Sequence, residues 1–241
     1  MKKIQIILFL CLCTWVAQAQ VKDSTAISSI YDQNFYWGLT FNNSWTDVLG
    51  DIEPYFMKPS LGGGFKTDYY FTKSKNIGFS AGFTYQQRGA GIKTFDVAPE
   101  ALGDPDSTNR LRLRFNSFEI PLAFIFRSKN PVGKGQGVRW TGGVGITPQW
   151  VFRTTRIFFS VEDGFHIINY VTKDYAQIKA SVDANFGVYI NAGNSAVFQT
   201  DLLVSYGLTN ILNNDALFGN EKSKDLMVGI RLSFLYSRFK L

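Results

Sequence analysis

Residues 222–241, KSKDLMVGIRLSFLYSRFKL, alternate with a strict period of two. Leu226, Val228, Ile230, Leu232, Phe234 and Tyr236 share one face, and Asp225, Gly229, Arg231 and Ser233 share the other. A period of two belongs to a strand and not to a helix. About ten residues with one apolar face and one polar or small face match a tilted crossing of a membrane β-barrel, where lipid touches one side and the lumen the other. The feature therefore predicts further strands of the same kind upstream.

The N-terminus sets the compartment. Lys2 and Lys3 precede the apolar run IQIILFLCLC, and WVAQA precedes Gln20. This order of a basic region, an apolar region and a small-residue cleavage site predicts a signal peptide over residues 1–19 and an exported chain. The apolar run is too short to span a bilayer as a helix, and no later segment offers about 18 uninterrupted apolar residues, so membrane insertion has to use strands. Cys11 and Cys13 both lie in the leader, which leaves a mature chain without disulfides or thiolate chemistry. Loss of Lys2 and Lys3 takes the formal charge from +6 to +4. The basic residues are scattered over strands rather than clustered, which argues against nucleic acid as a partner.

Reading parity along the chain predicts an all-β fold, an eight-stranded antiparallel up-and-down transmembrane β-barrel over residues 35–241, preceded by a periplasmic segment over 20–34. The first strand, near 35–45, turns Phe35, Trp37, Leu39 and Phe41 outward. The second, near 59–72, does so with Leu61, Phe65, Tyr69 and Phe71, and the third, near 76–88, with Ile77, Phe79, Ala81, Phe83 and Tyr85. The fourth, near 110–127, begins with Leu111, Leu113 and Phe115 outward but continues with Phe118, Ile120, Leu122, Phe124 and Phe126. That slip predicts a bulge near Asn116–Ser117, with further irregularity at Pro121. The fifth, near 138–153, exposes Trp140, Val144, Ile146, Trp150 and Phe152. The sixth, near 176–191, exposes Ile178, Ala180, Val182, Phe186, Val188 and Ile190, and the seventh, near 195–209, exposes Ala196, Phe198, Leu202, Val204 and Tyr206.

Connection lengths agree with this reading. Strands 2–3, 4–5 and 6–7 are joined by the short segments TKSKN, SKNPVGKGQG and NAGNS, and the other connections are longer. Short periplasmic turns alternating with long outer loops are the pattern of outer-membrane barrels. Trp37, Tyr69, Phe71, Phe126, Trp140 and Tyr236 are expected at the periplasmic interface, and Trp45, Tyr85, Trp150 and Tyr206 at the outer one. A soluble barrel with its apolar face inside, such as a lipocalin, would show the same alternation. Gly38, Gly62, Gly64, Gly78, Gly82, Gly143, Gly145, Gly187, Gly207 and Gly229 argue against it. All lie on the polar face, where a narrow lumen needs room for long side chains and a solvated surface does not.

The charges that parity assigns to the inside are Lys66, Asp68, Arg88, Arg112, Arg114, Glu119, Arg139, Arg153, Lys179, Asp183, Asp201 and Arg231. An eight-stranded lumen is just wide enough to be filled by side chains, and charges withdrawn from water must be paired. The set therefore reads as a lumen charge network rather than a selectivity filter or a catalytic cluster. The one histidine, His166, lies beside Glu162 and Asp163, and with Ser160 it supplies the residue types of a general base and a nucleophile. Nothing in VEDGFHIINY sets their geometry, and a lone loop histidine reads first as solvated surface. One histidine and no mature cysteine make a metal site unsupported, no catalytic residue is assigned, and no cofactor is implied. The long loops carry Asp47, Asp51, Glu53, Asp96, Glu100, Asp104 and Asp106, while the short turns carry Lys73, Lys75, Lys129 and Lys134. Such loops on a rigid scaffold are sites where partners bind.

GFSAGFTYQQRGAGIK (78–93) followed by SFEIPLAFIFRSK (117–129) resembles the outer-membrane β-barrel domain family that includes PorT-type proteins, and the resemblance extends over roughly residues 20–241. It implies an outer-membrane location, contact with outer-membrane lipid, and a non-enzymatic accessory or scaffold role in type IX protein secretion or envelope assembly, with other envelope proteins as partners. A lipid-modifying hydrolase on the same barrel and a small porin are the alternatives.

Overall fold

A computed structural model describes residues 33–50, 54–72, 75–93, 110–129, 138–159, 166–192, 195–211 and 222–237. The leader, Ser160, Glu162, Asp163, the loop acids Asp51, Glu53, Asp96, Glu100, Asp104 and Asp106, and the turn lysines Lys73 and Lys134 lie outside them. Ten strand segments form one antiparallel sheet: β1 (Phe35–Gly50), β2 (Pro54–Tyr70), β3 (Ile77–Lys93), β4 (Arg110–Glu119), β5 (Leu122–Arg127), β6 (Val138–Phe159), β7 (His166–Tyr170), β8 (Ile178–Asn191), β9 (Ala196–Gly207) and β10 (Ser223–Tyr236). β4 and β5 are consecutive halves of one wall, both lying between β3 and β6, and β7 is an annex on the outer end of β6. The ring therefore has eight walls, and β1 closes it by pairing along its length with both β10 and β2.

Each wall is built by the alternation that the sequence shows. Leu39, Phe41, Phe83, Phe124, Val144, Phe186, Leu202 and Phe234 are exposed on the outside, while Thr40, Asn42, Thr84, Thr141, Ser205 and Ser233 are buried inside. The wall breaks at Ile120–Pro121, where proline has no N–H to give. Gly82 N–H donates to Pro121 O (3.1 Å) and Ile120 N–H to Pro148 O (3.0 Å), so the ladder continues on both sides of the gap. The inward glycines do two things. A Cβ at Gly38 or Gly187 would overlap the carbonyl of the neighbouring strand, so these glycines allow backbones to approach. One at Gly62 or Gly207 would overlap Gln86 or Asp225, so these make room for lumen side chains.

The fourth wall departs from the expected parity. Leu111, Leu113 and Phe115 are 0–1 % exposed and lie in an internal apolar cluster, so they face inward and not outward. Arg112 and Arg114 consequently stand on the outer surface. β4 itself keeps one parity throughout. The extra residue is on β6, where Asn116 opposes Arg153 and Ser117 opposes Val151, leaving Phe152 unmatched. Beyond that bulge β6 turns Thr154 and Arg156 inward and Arg153 outward. The apolar pattern shifts along β4 because the strand leaves the bilayer. Above the membrane the outside meets water and the inside is capped by apolar side chains, so the same alternation carries the opposite meaning.

Two measurements check this architecture. Phe79→Arg and Val144→Arg each place a charge in the lipid band and are expected to lose about 2–4 kcal/mol and to fail in heat-modifiable assembly. Wild-type folding of both variants would refute the lipid-facing assignment. Arg112→Cys is expected to react with an impermeant maleimide on intact cells, and Leu113→Cys to resist it. The reverse pattern would restore the parity first expected for β4.

Candidate functional site in the barrel lumen

The lumen is filled in layers. At the end bearing the short connections, Tyr36, Tyr70 and Tyr189 meet edge to face, with ring centroids 5.8 Å apart from Tyr36 to each of the others. The Arg127 guanidinium sits 4.3 Å over the Tyr70 ring and 5.6 and 5.5 Å from Tyr36 and Tyr189. It also donates to Tyr36 Oη (3.2 Å) and to Lys75 O (2.9 Å). Three electron-rich ring faces around one desolvated cation hold this layer together. Ile125, Val197 and Leu235 fill the space around it.

Above this plug, Lys66 Nζ lies 3.1 Å from Asp68 Oδ2 and donates to Gln199 Oε1 at 2.7 Å. Gln199 in turn donates to both oxygens of Asp201 (3.0 and 2.9 Å). Arg231, directly opposite Asp201 in the β9–β10 register, binds it through Nη2 at 2.9 Å and Nε at 3.2 Å. A cavity of about 40 Å³ beside Thr40, Asn42 and Asn185 has room for a few waters.

The next layer carries the densest charge. Arg88 forks onto Glu119, Nε to Oε1 at 2.9 Å and Nη2 to Oε2 at 3.3 Å, and its Nη1 reaches Ser205 Oγ (3.1 Å) and Asp225 Oδ2 (3.4 Å). Lys179 approaches the same Asp225 oxygen at 3.1 Å. Asp183 accepts hydrogen bonds from Ser181 (2.9 Å) and from Thr147. Bidentate guanidinium–carboxylate geometry gives these pairs direction as well as charge compensation.

At the far end Val48, Ala90, Leu111, Leu113, Phe115, Val151, Tyr175 and Ile211 form an apolar cap. The segment after β7 is folded into the mouth. Ala176 N–H donates to Ile211 O (3.0 Å), Val151 N–H to Gln177 O (2.7 Å), and the Tyr175 ring meets Phe115 at 5.3 Å. Lys179, 4.8 Å from the Phe115 ring, joins the cap to the charges beneath it.

Of the charges expected inside, Lys66, Asp68, Arg88, Glu119, Lys179, Asp183, Asp201 and Arg231 meet in these layers. Arg139 lies half-buried at the short-turn end, opposite Tyr189. Arg112, Arg114 and Arg153 do not belong to the network, since the β6 bulge and the unbroken parity of β4 turn them outward. Parity put Asp225 on the polar face of the last strand but the list of inward charges left it out, and it missed Arg127, which continues the inward parity of its strand; it passed over Gln86 and Gln199 because they carry no charge. His166 opens β7 opposite Phe159. Among the described residues no cluster of histidine, cysteine and carboxylates is placed to hold a metal.

A closed eight-walled ring with an apolar outside and a charged inside defines an outer-membrane β-barrel. Residues 18–213 match the model of the outer membrane protein beta-barrel domain, and the chain belongs to that family; its place is the outer membrane. Among solved structures it is similar to the attachment invasion locus protein Ail of Yersinia pestis, at 14 % identity over 84 % of this chain and 99 % of that one with a TM-score of 0.40. It is also similar to OprG from Pseudomonas aeruginosa, at 14 % over 85 % and 95 % with a TM-score of 0.44, and to Neisserial surface protein A, at 12 % over 83 % and 97 % with a TM-score of 0.39. No curated protein matches.

Removing one member of a buried charge cluster leaves the others uncompensated. Asp225→Asn, which takes from Lys179 its carboxylate and leaves Arg88 with Glu119 alone, is expected to lose about 3–5 kcal/mol in urea unfolding from vesicles, and adding Lys179→Met is expected to recover part of the loss. Strict additivity of the two changes would show that the pair is not coupled.

Proposed function

We propose that this barrel is a closed, non-enzymatic outer-membrane scaffold, acting as an accessory in protein secretion or envelope assembly through its rims rather than through its lumen. The observation that carries the reading is the filling of the lumen. A tyrosine–arginine plug stands at one end, an apolar cap at the other, and ion-paired layers lie between them. A small porin needs a continuous aqueous path, and the cavity at mid-depth beside Thr40, Asn42 and Asn185 holds only about 40 Å³. The resemblance of residues 78–93 and 117–129 to PorT-type proteins supports secretion, specifically type IX secretion, as the process served. A leader over residues 1–19 and a periplasmic segment over 20–34 complete this reading.

In planar bilayers the purified barrel is expected to show no stable single-channel conductance, and a steady large conductance would favour the porin. Deleting the gene is expected to strand secreted cargo in the periplasm, and His166→Ala is expected to restore export fully. A general base typically contributes about 10²–10⁴-fold to a rate. A His166→Ala strain that exports normally but loses a lipid modification would establish the hydrolase instead.

A further inference from the structure

The outer surface carries a groove of about 340 Å³ on β3, β4, β6 and β7, and its position relative to the membrane says what it meets. Tyr85, Phe118 and Trp150 are direct register partners across three walls and mark the outer interface. Arg153 lies three residues beyond Trp150 on β6, and Arg114 lies four residues beyond Phe118 on β4, in the direction away from lipid. At about 3.3 Å per residue and a tilt near 45°, both guanidinium-bearing positions stand roughly 7–10 Å above the ring of aromatics. That is the depth of the headgroup layer.

The groove is shaped for an anion with an apolar attachment. Arg153 is held 4.4 Å over the exposed Tyr170 ring. Among the described residues neither Arg114 nor Arg153 forms an ion pair, and Arg114 Nε is buried without a hydrogen-bond partner. Between them, the Asn116 carbonyl accepts from Tyr85 Oη (2.8 Å) and Gln87 Nε2 (3.2 Å), which turns its amide donors free of those contacts. Below the arginines Phe118 stacks on Phe152 (4.8 Å) and on Phe83 (5.4 Å), a flat apolar track running into the lipid band. Two guanidiniums with donor forks suited to phosphate, set directly above an aromatic track, match a lipid whose phosphate and acyl chains are joined.

We propose that this groove binds the phosphate-bearing headgroup of an outer-leaflet glycolipid, with Arg114 and Arg153 clamping the phosphate and the Phe83–Phe118–Phe152 face taking the acyl chains. The inference does not depend on the function proposed above. The full chain in detergent, mixed with bis-phosphorylated lipid A, is expected to retain it in native mass spectrometry at least ten-fold more than fully dephosphorylated lipid A, and millimolar inorganic phosphate is expected not to displace it. Arg114→Gln/Arg153→Gln, two positions outside the lipid band, is expected to fold with normal heat-modifiable mobility and to lose that preference. Equal retention of both lipid forms by the wild type would overturn the proposal without any variant, as would an unchanged preference in the double variant. Displacement by inorganic phosphate would reassign the groove to a soluble anion.

Discussion

Closure of the ring is the constraint from which the rest follows. Within hydrocarbon no water is available to an unpaired N–H or C=O, so each wall needs a neighbour on both sides. The pairing of β1 with β10, from Trp37 opposite Tyr236 to Gly50 opposite Ser223, removes the last two edges. Once the ring is closed at eight walls its diameter is set, and with it the width of the lumen. The inside is then too narrow to stay aqueous and too polar at its strand positions to become an oily core.

The charged layers are the solution to that conflict. Arg88, Glu119, Asp225 and Lys179 are each almost fully buried, and each is compensated by the others. Replacement of such clusters by apolar residues is often tolerated energetically in other proteins, so their value here lies in register as much as in stability. A one-residue slip of any wall would carry its apolar face into the lumen and its charges into lipid. The ion pairs thereby make the correct register the only one in which charge is satisfied. The two end plugs use different chemistry because they face different surroundings, a cation held by tyrosine rings at the short-turn end and apolar packing of aliphatic and aromatic side chains under the outer segment.

The outer surface shows the same physics at the membrane boundary. Below Tyr85, Phe118 and Trp150 the outward side chains are apolar. Above them Gln87, Arg114, Asn116, Arg153 and Thr155 join Phe152 and Ile157 on the same faces of the same strands. The β6 bulge at Phe152 lies at this transition and re-aims Arg153 from the lumen to the outside, a use of a bulge to redirect one side chain without breaking the wall.

Alternation determined how many walls the barrel has and which residues of β1, β2, β3, β8, β9 and β10 share its apolar face, because a period of two in contact with two different surroundings is a local property; the glycines on the polar face and the connection lengths made that apolar face the lipid side. The proline irregularity at 121 and the inward faces of Asp201 and Arg231 were legible for the same reason. What only the tertiary structure decided is where the strands leave the bilayer. Leu111, Leu113 and Phe115 are apolar because they cap the lumen, and Phe118 and Phe124 because they touch lipid. A sequence records that a side chain avoids water but not which side of the wall is dry. Arg112, Arg114 and Arg153 were assigned to the wrong face on that account. The Arg127 cage escaped notice because its tyrosines come from Tyr36, Tyr70 and Tyr189, on three different strands, and only closure of the ring brings them around one guanidinium.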